Sequence, residues 1–501
     1  MSYRPKYKQT SGSLVDLPLD AETVKGEDVV ASLAKTVRFE EQTLTDEEKA
    51  QARANIGAAA VSDIKTDIGN AVVTLGASLT YNGSAQTQTV ASVKLGSVTL
   101  RAGTDYDVSG NVATNAGNYT LTVSGKGDYS GVAFVDWSIA KAQGNISVSE
   151  SEVEIIGLVG TQKQVAIAIQ SGYGDLFATS SNASVATASV VGDTLTISVF
   201  SSGNATITIS FVGNYQATAQ VSVTAIAVSS VLSENSPAVI RKVADNDLGA
   251  NYWAVGDTYP VPLNGTVGTV QYDNLTVWAY ILGFNHNASV EGEHLIHFGG
   301  FKTAQTGGVD VALDDGNYGS YSTGWSKWFN MNHSSNKNSG GWEGCDMRYD
   351  ILGSTDVNNG NPTSTCATSP AANTLMAALP TDLRAVMKPA TKYTDNTGHS
   401  TSSSAVTATQ DYMPLLAEFE VFGTIGYANS AERNYQTQYA YYANGNSKVK
   451  YRQTSSGEAA RWLCRSPDSN SINFFCSVST SGGSDVRDAA ISYGVSPAFF
   501  I

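Results

Sequence analysis

A chain of 501 residues is too long for one ordinary hydrophobic core, and at roughly 100 to 200 residues per domain it implies three or four units. Charged residues are 15% of it, against a usual figure of about 25%, with Ser, Thr, Asn, Gly and Tyr in their place, which is a composition of extended β proteins and not of helical enzymes. The formal net charge of -15 repels nucleic acid and anionic membrane surfaces, and no apolar run approaches the ~20 residues that span a bilayer.

The opening residues, Met1-Ser2-Tyr3-Arg4-Pro5-Lys6-Tyr7-Lys8, lack the apolar core of a signal peptide, so synthesis without general secretory export is expected. Residues 1 to about 40 hold only short apolar runs, Val15-Asp16-Leu17-Pro18-Leu19 and Val29-Val30-Ala31-Ser32-Leu33. So few apolar residues cannot offset the entropy of folding alone, which implies a segment that orders against a partner. A helix follows. Thr45 reads as its N-cap with Glu48 three residues on, Asp46 and Glu47 stand at the positive end of the dipole, and Gly57 is the C′ stop.

Leu44-Thr45-Asp46-Glu47-Glu48-Lys49-Ala50-Gln51-Ala52-Arg53-Ala54-Asn55-Ile56-Gly57-Ala58 resembles a short element of bacteriophage tail-fibre and other fibre proteins, where it lies in the virion-proximal part. The preceding Leu17-Pro18-Leu19-Asp20-Ala21-Glu22-Thr23-Val24-Lys25-Gly26 has a less specific likeness to the same proteins. The resemblance implies that residues 1–71 are a virion-attachment segment, with residues 1–60 contacting other virion proteins.

From Val72 to Ala142 the pattern becomes strands. Tyr81-Asn82-Gly83-Ser84 and Ala116-Gly117-Asn118-Tyr119 signal turns, and Tyr119-Thr120-Leu121-Thr122-Val123-Ser124 alternates so that Leu121 and Val123 share a face with Tyr119 beside them. With Gly103-Thr104-Asp105-Tyr106 and Gly125-Lys126-Gly127-Asp128-Tyr129-Ser130-Gly131, residues 72–142 resemble the immunoglobulin-like repeats of bacterial surface proteins. Residues 143–226 repeat the theme: Thr194 to Val199 and Asn204 to Ser210 alternate about ten residues apart, a β-sandwich spacing. With Ser184 to Ala188, they resemble bacterial Ig-like group 2 domains. No proline lies between Pro18 and Pro237, so stiffness must come from packed sandwiches.

Beyond Val228-Ser229-Ser230-Val231-Leu232-Ser233 lie six of the seven tryptophans, all five histidines and all four cysteines. Residues 227–501 are therefore read as one large, long-looped domain. An amphipathic helix is expected from Ala371 to Met387, with Leu375, Leu379, Leu383 and Met387 on one stripe and Pro380 as a kink or N1. Cys345, Cys366, Cys464 and Cys476 contain no C-x-x-C pair and read as free, partly buried thiols, with one or two bridges as the alternative. Trp278 to Asn287, Gly341 to Arg348, Leu379 to Arg384, Met413 to Val421, Trp462 to Pro467 and Gly494 to Phe499 resemble a gut-bacterial and phage family of unassigned function whose core looks like a C-type-lectin fold. Ser496 departs from it, since the family often carries Arg there. The expected fold class is thus mostly β and multidomain: an anchor with a short helix, two Ig-like β-sandwiches and a C-terminal α+β C-type-lectin-like domain.

Two apolar ends, Trp462 to Pro467 and Gly494 to Ile501, enclose a segment rich in Ser, Asn, Asp and Gly, as a binding loop held by buried anchors would be. The lectin resemblance implies a closing strand paired near the start of the domain, with the loops before it as a receptor face. Mapped here, that face holds Asp468, Ser469, Asn470, Ser471 and Asn473, then Ser484, Asp485, Arg487, Asp488, Ser492 and Tyr493, flanking a strand from Phe474 to Ser479. Tyr435, Tyr439, Tyr441, Tyr442 and Tyr451, with Asn434, Gln436 and Asn444, either stack on a ligand or pack as a Tyr-rich strand; Tyr439 and Tyr441 are the binding candidates. Lys448-Val449-Lys450-Tyr451-Arg452 places three cations on one strand face, for an anionic glycan or for edge protection.

Catalysis has little support. Glu418 and Glu420 share one side of a strand at glycosidase reach, roughly 6 to 7 Å, but Phe419 and Val421 would then take the buried face and leave the glutamates in water. On a strand His294 and His297 point to opposite faces, which spoils a shared metal site, and Asp314-Asp315-Gly316-Asn317 is a turn without the further ligands of a calcium loop. No catalytic residue, metal or cofactor is expected, nor any nucleic-acid partner or membrane insertion. The whole pattern points to a virion-located bacteriophage fibre protein adsorbing to a host-surface glycan or protein through its C-terminal domain, as a homo-oligomer with a trimer favoured. For the trimer, Ile64 and Ile68 are the only heptad signal. The alternatives are a capsid-attached head fibre or decoration protein, then a bacterial surface adhesin or a glycan depolymerase.

Overall fold

The computed structural model describes residues 6–8, 14–16, 43–57, 64–170, 172–325, 327–455 and 457–501. Most of the expected attachment segment, including Leu17 to Gly26 and Val29 to Leu33, lies outside the described residues. The helix Asp46–Ile56 is capped as its sequence dictates. Glu48 N–H donates to Thr45 Oγ1 (3.3 Å), Thr45 N–H donates to the Glu48 carboxylate (2.9 Å), and Gly57 closes it at φ 65°. None of its residues is buried, and an isolated helix of this length is marginal in water.

The first sandwich packs Val72–Leu75, Val90–Leu95 and Val98–Leu100 as one sheet. A second sheet runs Leu79–Thr80, Val132–Ala140, Gly117–Gly125 and Tyr106–Ser109. Leu121 and Val123 enter the core, and Tyr119 packs on Trp137 with ring centroids 4.9 Å apart, as the alternation implies. The unit starts earlier than the strand pattern suggested. Thr66–Asp67 pairs with Tyr129–Ser130, and Ile68 is fully buried in the sandwich core while Ile64 stays exposed. Ile68 is therefore a core residue of the sandwich and not a coiled-coil position.

In the second sandwich one sheet runs Ile146–Val148, Gln162–Ile169, Thr194–Val199 and Ala186–Val191. The other runs Glu152–Leu158, Thr218–Val228, Gly203–Phe211 and Leu176–Ser180. This sandwich and the C-terminal domain belong to one compact unit. Ile156 and Val228 join the core of the following domain, Tyr252 donates to the Ile156 carbonyl, and Lys242 pairs with Glu154 at 3.0 Å.

The main C-terminal sheet is ordered Thr258–Val267, Val270–Phe284, Ile296–Lys302, Asp310–Ala312, Lys450–Arg452 and Ala459–Ala460. The closing strand Ala498–Phe500 pairs antiparallel with Ile296–Lys302, the third strand of the domain. A three-stranded sheet, Trp462–Pro467, Phe474–Val478 and Ser484–Asp488, carries the candidate face. The expected helix from 371 to 387 is two short ones, Leu375–Ala378 and Thr381–Val386, because Pro380 has no N–H to donate and takes the N-cap. Leu375, Leu379, Leu383 and Met387 are all buried regardless. The chain is thus mostly β and multi-sheet. All four cysteines are free and buried, and burial pushes the Cys345 and Cys366 thiols up to about 12.

Candidate functional site

The segment from Trp462 to Ile501 divides as its apolar ends predict. Trp462 to Pro467 and Gly494 to Ile501 are buried throughout. Between them, Asn470 and Ile472 are exposed, and Ser469, Ser471, Asn473 and Tyr493 are half-buried. Ser484–Asp488, expected as a loop, is an edge strand paired with Phe474–Val478, and every residue of it is half-buried.

Both parts of this rim hang on one turn. The Glu418 carboxylate accepts the N–H groups of Gly426 (3.1 Å), Tyr427 (3.1 Å) and Ala428 (2.9 Å), and also the Ser484 hydroxyl. The Tyr427 carbonyl in turn accepts Ser469 N–H and Oγ–H, each at 2.9 Å. Lys337 donates to Asn473 Oδ1 (2.9 Å), and Asn338 Nδ2 donates to the carbonyls of Ser471 (2.7 Å) and Phe474 (2.8 Å). Arg461 pairs with Asp485 and stacks near Tyr493. Burial would raise the Asp485 carboxyl, but the Val486 N–H and Arg461 hold it below its ordinary value. Burial raises Asp468 and Asp488.

Four candidates belong to the interior instead. Asp468 is 5% exposed and turns its carboxylate onto Asn470 N–H. Ser492 is fully buried and donates to Asp315 at 2.7 Å. Tyr439 and Tyr441 are buried, Tyr439 stacked on His286 at 3.8 Å and Tyr441 on Tyr280 at 4.2 Å, so the packing alternative holds. Tyr427, which sequence reasoning missed, is 37% exposed beside Ser469. The three-cation face is absent too: Lys450 is fully buried with its ammonium on Tyr280 Oη (2.8 Å), and Arg452 pairs with Asp314 and Glu458. Burial pushes Lys450 down to about 8.

Glu418 and Glu420 were expected to face water from a strand; both are buried on the helix Glu418–Phe422, which ends at left-handed Gly423. Glu420 accepts a bidentate pair from Arg465 (2.6 and 2.8 Å) and one bond from Lys392 (3.1 Å). Lys392 also reaches Glu291 (2.6 Å) and Tyr439 (3.0 Å). Burial alone would raise the Glu420 carboxyl; Arg465 and Lys392 hold it well below the usual carboxylate range. His294 and His297 do diverge, as the strand pattern implied. His294 pairs with Asp247 at 2.9 Å near the surface, while His297 is buried against Tyr439. Asp314 and Asp315 form the expected turn, spent on Gly316, Asn317, Phe329 and Thr454. Ser496 is buried, and its hydroxyl has no partner among the described residues.

Next to this cluster, Glu432 accepts from Asp395 N–H (3.0 Å), Ser466 Oγ–H (2.7 Å) and Gln436 Nε2 (3.0 Å), and burial pushes it up from 4.5 to about 7. A folded-state value above the unfolded one supports stability below pH 4.5, which is lost as pH rises through 7. Between pH 5 and 8 the wild type should lose about 3 kcal/mol through this group, and Glu432→Gln should flatten that slope. Urea unfolding at four pH values checks this, and parallel slopes for the two proteins would refute it.

A family profile described as "Domain of unknown function (DUF6273)" matches residues 325–501. No curated protein matches the chain. Solved structures with likeness include domains 1–6 of the surface layer protein SbsC, at 19% identity and TM-score 0.15, covering 32% of this chain and 28% of that one. Fibronectin(III)-like modules of CbhA from Clostridium thermocellum match at 8% identity and TM-score 0.16, over 31% of this chain and 94% of theirs. The C-terminal fragment of intimin, solved with the intimin-binding domain of its translocated receptor, matches at 14% and TM-score 0.17, over 42% and 90%. Such scores carry no functional weight.

Proposed function

We propose that the chain is a structural bacteriophage fibre protein, carried on the virion through its N-terminal segment and adsorbing to the host cell surface through its C-terminal domain. The observation that carries the reading is the rim itself. Asn470, Ile472 and the edge strand Ser484–Asp488 present polar and apolar side chains to solvent, while the Glu418 carboxylate holds the Ser484 hydroxyl and the turn at Tyr427, whose carbonyl fixes Ser469. A binding surface held from beneath loses little conformational entropy when it engages a ligand. The resemblance of Leu44 to Ala58 to a virion-proximal fibre element, together with its observed capping box, supports attachment at the other end. Recognition is the mechanism: many copies on one particle, in an oligomer for which a trimer is favoured, turn modest affinity for a surface glycan or protein into avidity.

The test uses two exposed residues of the rim and one half-buried residue of its edge strand. Replacing Asn470, Ile472 and Arg487 together by Ala should abolish binding of the purified chain to host cells. Each change should move stability by no more than about 0.5 kcal/mol, since none of these side chains is buried. Undiminished cell binding by the folded triple variant would place the receptor site elsewhere. Electron microscopy of the particle would locate the chain and count its copies.

A further inference from the structure

Two clusters in the C-terminal domain gather metal-type donors. In the first, His286, Glu291 and His297 bring their ligand atoms within 4.8 Å of one another, but the Lys392 ammonium stands 2.6 Å from Glu291. A cation is already built into that site.

The second is His333, Asp346 and Asp350. His333 is 5% exposed, and its Nε2 lies 3.2 Å from the Trp328 carbonyl, an oxygen that can only accept. In the neutral ring the proton therefore sits on Nε2, which leaves Nδ1 as a bare lone pair. Among the described residues that lone pair has no hydrogen-bond partner, and it faces two carboxylates, 3.6 Å from Asp350 Oδ2 and 3.9 Å from Asp346 Oδ2. Among the described residues no lysine or arginine pairs with either aspartate. Three electron-rich atoms converging without a cation repel one another. Ligands about 2.1 Å from a tetrahedral ion stand about 3.4 Å apart, so these separations are close to what a bridging ion requires.

We infer that His333, Asp346 and Asp350 bind a first-row divalent cation of the Zn2+ class. One imidazole with two carboxylates suits such ions better than Ca2+, which takes six to eight oxygens. Asp346 and Asp350 lie one turn apart across the π-helical turn Met347–Ile351, and their side chains are 27% and 39% exposed, which leaves an entry path and room for water ligands. The His333 N–H donates to Asp346 Oδ2 at 2.6 Å and orients that carboxylate. The ion would staple the loop through His333 to the π-helical turn. That loop also supports the rim from behind, through Asn332 N–H on the Ala489 carbonyl (3.0 Å) and Tyr493 N–H on the Phe329 carbonyl (3.1 Å). The inference does not rest on the fibre reading.

The full chain, stripped with a chelator and dialysed, is titrated calorimetrically with Zn2+, and in parallel with Mn2+ and Ca2+. One equivalent of Zn2+ should bind and raise Tm, and X-ray absorption should report one imidazole nitrogen with oxygen neighbours. Asp350→Asn and His333→Gln should each weaken Zn2+ by at least about tenfold, since even outer-shell changes cost that much. The Asp350 carboxylate accepts no hydrogen bond among the described residues and is partly exposed, so its variant should fold normally by circular dichroism. His294→Gln, at the exposed pair with Asp247, should leave binding unchanged. Absence of saturable Zn2+ binding, tighter binding of Ca2+, or wild-type affinity in folded Asp350→Asn would each overturn the assignment.

Discussion

Glu420→Ala is expected to destabilise the C-terminal domain by about 3 to 5 kcal/mol, because it leaves two buried cations without their shared anion. Arg465 and Lys392 are both fully buried, and Glu420 takes three of their hydrogen bonds. Its third role is local: Glu420 Oε2 accepts the Ala417 N–H (2.8 Å) at the start of its own helix. The loss should appear as a lower urea midpoint, read from the tryptophans beyond residue 250. Trp137, in the separate core of the first sandwich, serves as an internal reference. Replacing Glu420 and Arg465 together by Met should recover much of the loss, since Lys392 keeps its pair with Glu291 and no buried charge is left stranded. A single variant within about 1 kcal/mol of wild type would mean that water reaches the cluster. The depressed Glu420 value also sets an acid limit: its contribution is present above pH 4.5 and lost as pH falls below that, opposite in sign to Glu432.

The reason these groups escaped a sequence reading is physical. Strand alternation made Glu418 and Glu420 look solvent-facing, since i and i+2 share a strand face. On one short helical turn both are instead drawn inward, by partners that include Arg465 and Ser484, 45 and 66 residues away in sequence. Gly423 at φ 70°, a helix C′ stop, was the local signal for the helix. Local chemistry was legible where one segment decides its own conformation: the Thr45 capping box, the Leu121 and Val123 face, the apolar plug at Phe499 and Phe500. Exposure of Tyr439, Tyr441 and Lys450 depends on strands far away in the chain, and composition alone favoured neither of their readings. The rim was legible as a polar segment between two apolar anchors. Its division into a loop and a paired edge strand was not, because Ser484–Asp488 has no apolar alternation to announce a strand.

Asp411→Ala should be comparably damaging at the other charged centre, where the long loops between 340 and 411 are held. Asp411 is fully buried and receives four donors: Arg348 Nε (2.6 Å) and Ser354 Oγ (2.9 Å) on one oxygen, Trp342 Nε1 (3.1 Å) and Thr409 Oγ1 (2.7 Å) on the other. Arg348 spends its remaining N–H groups on the carbonyls of Glu343, Gly360 and Gln410, so one carboxylate and one guanidinium organise a stretch with little regular structure. Truncation strands the buried guanidinium and three neutral donors, an expected cost of about 3 to 5 kcal/mol. Asp411→Asn keeps the shape but turns an NH2 toward donors, so it should recover little. Because Trp342 donates to this carboxylate, its fluorescence should change in the folded state even before denaturant is added. Hydrogen exchange should then show lost protection from Trp342 to Ser354, while the first sandwich keeps its own. Unchanged exchange in that stretch would show that the surrounding core, led by Met347, Ile351 and Leu352, holds these loops without the ion pair.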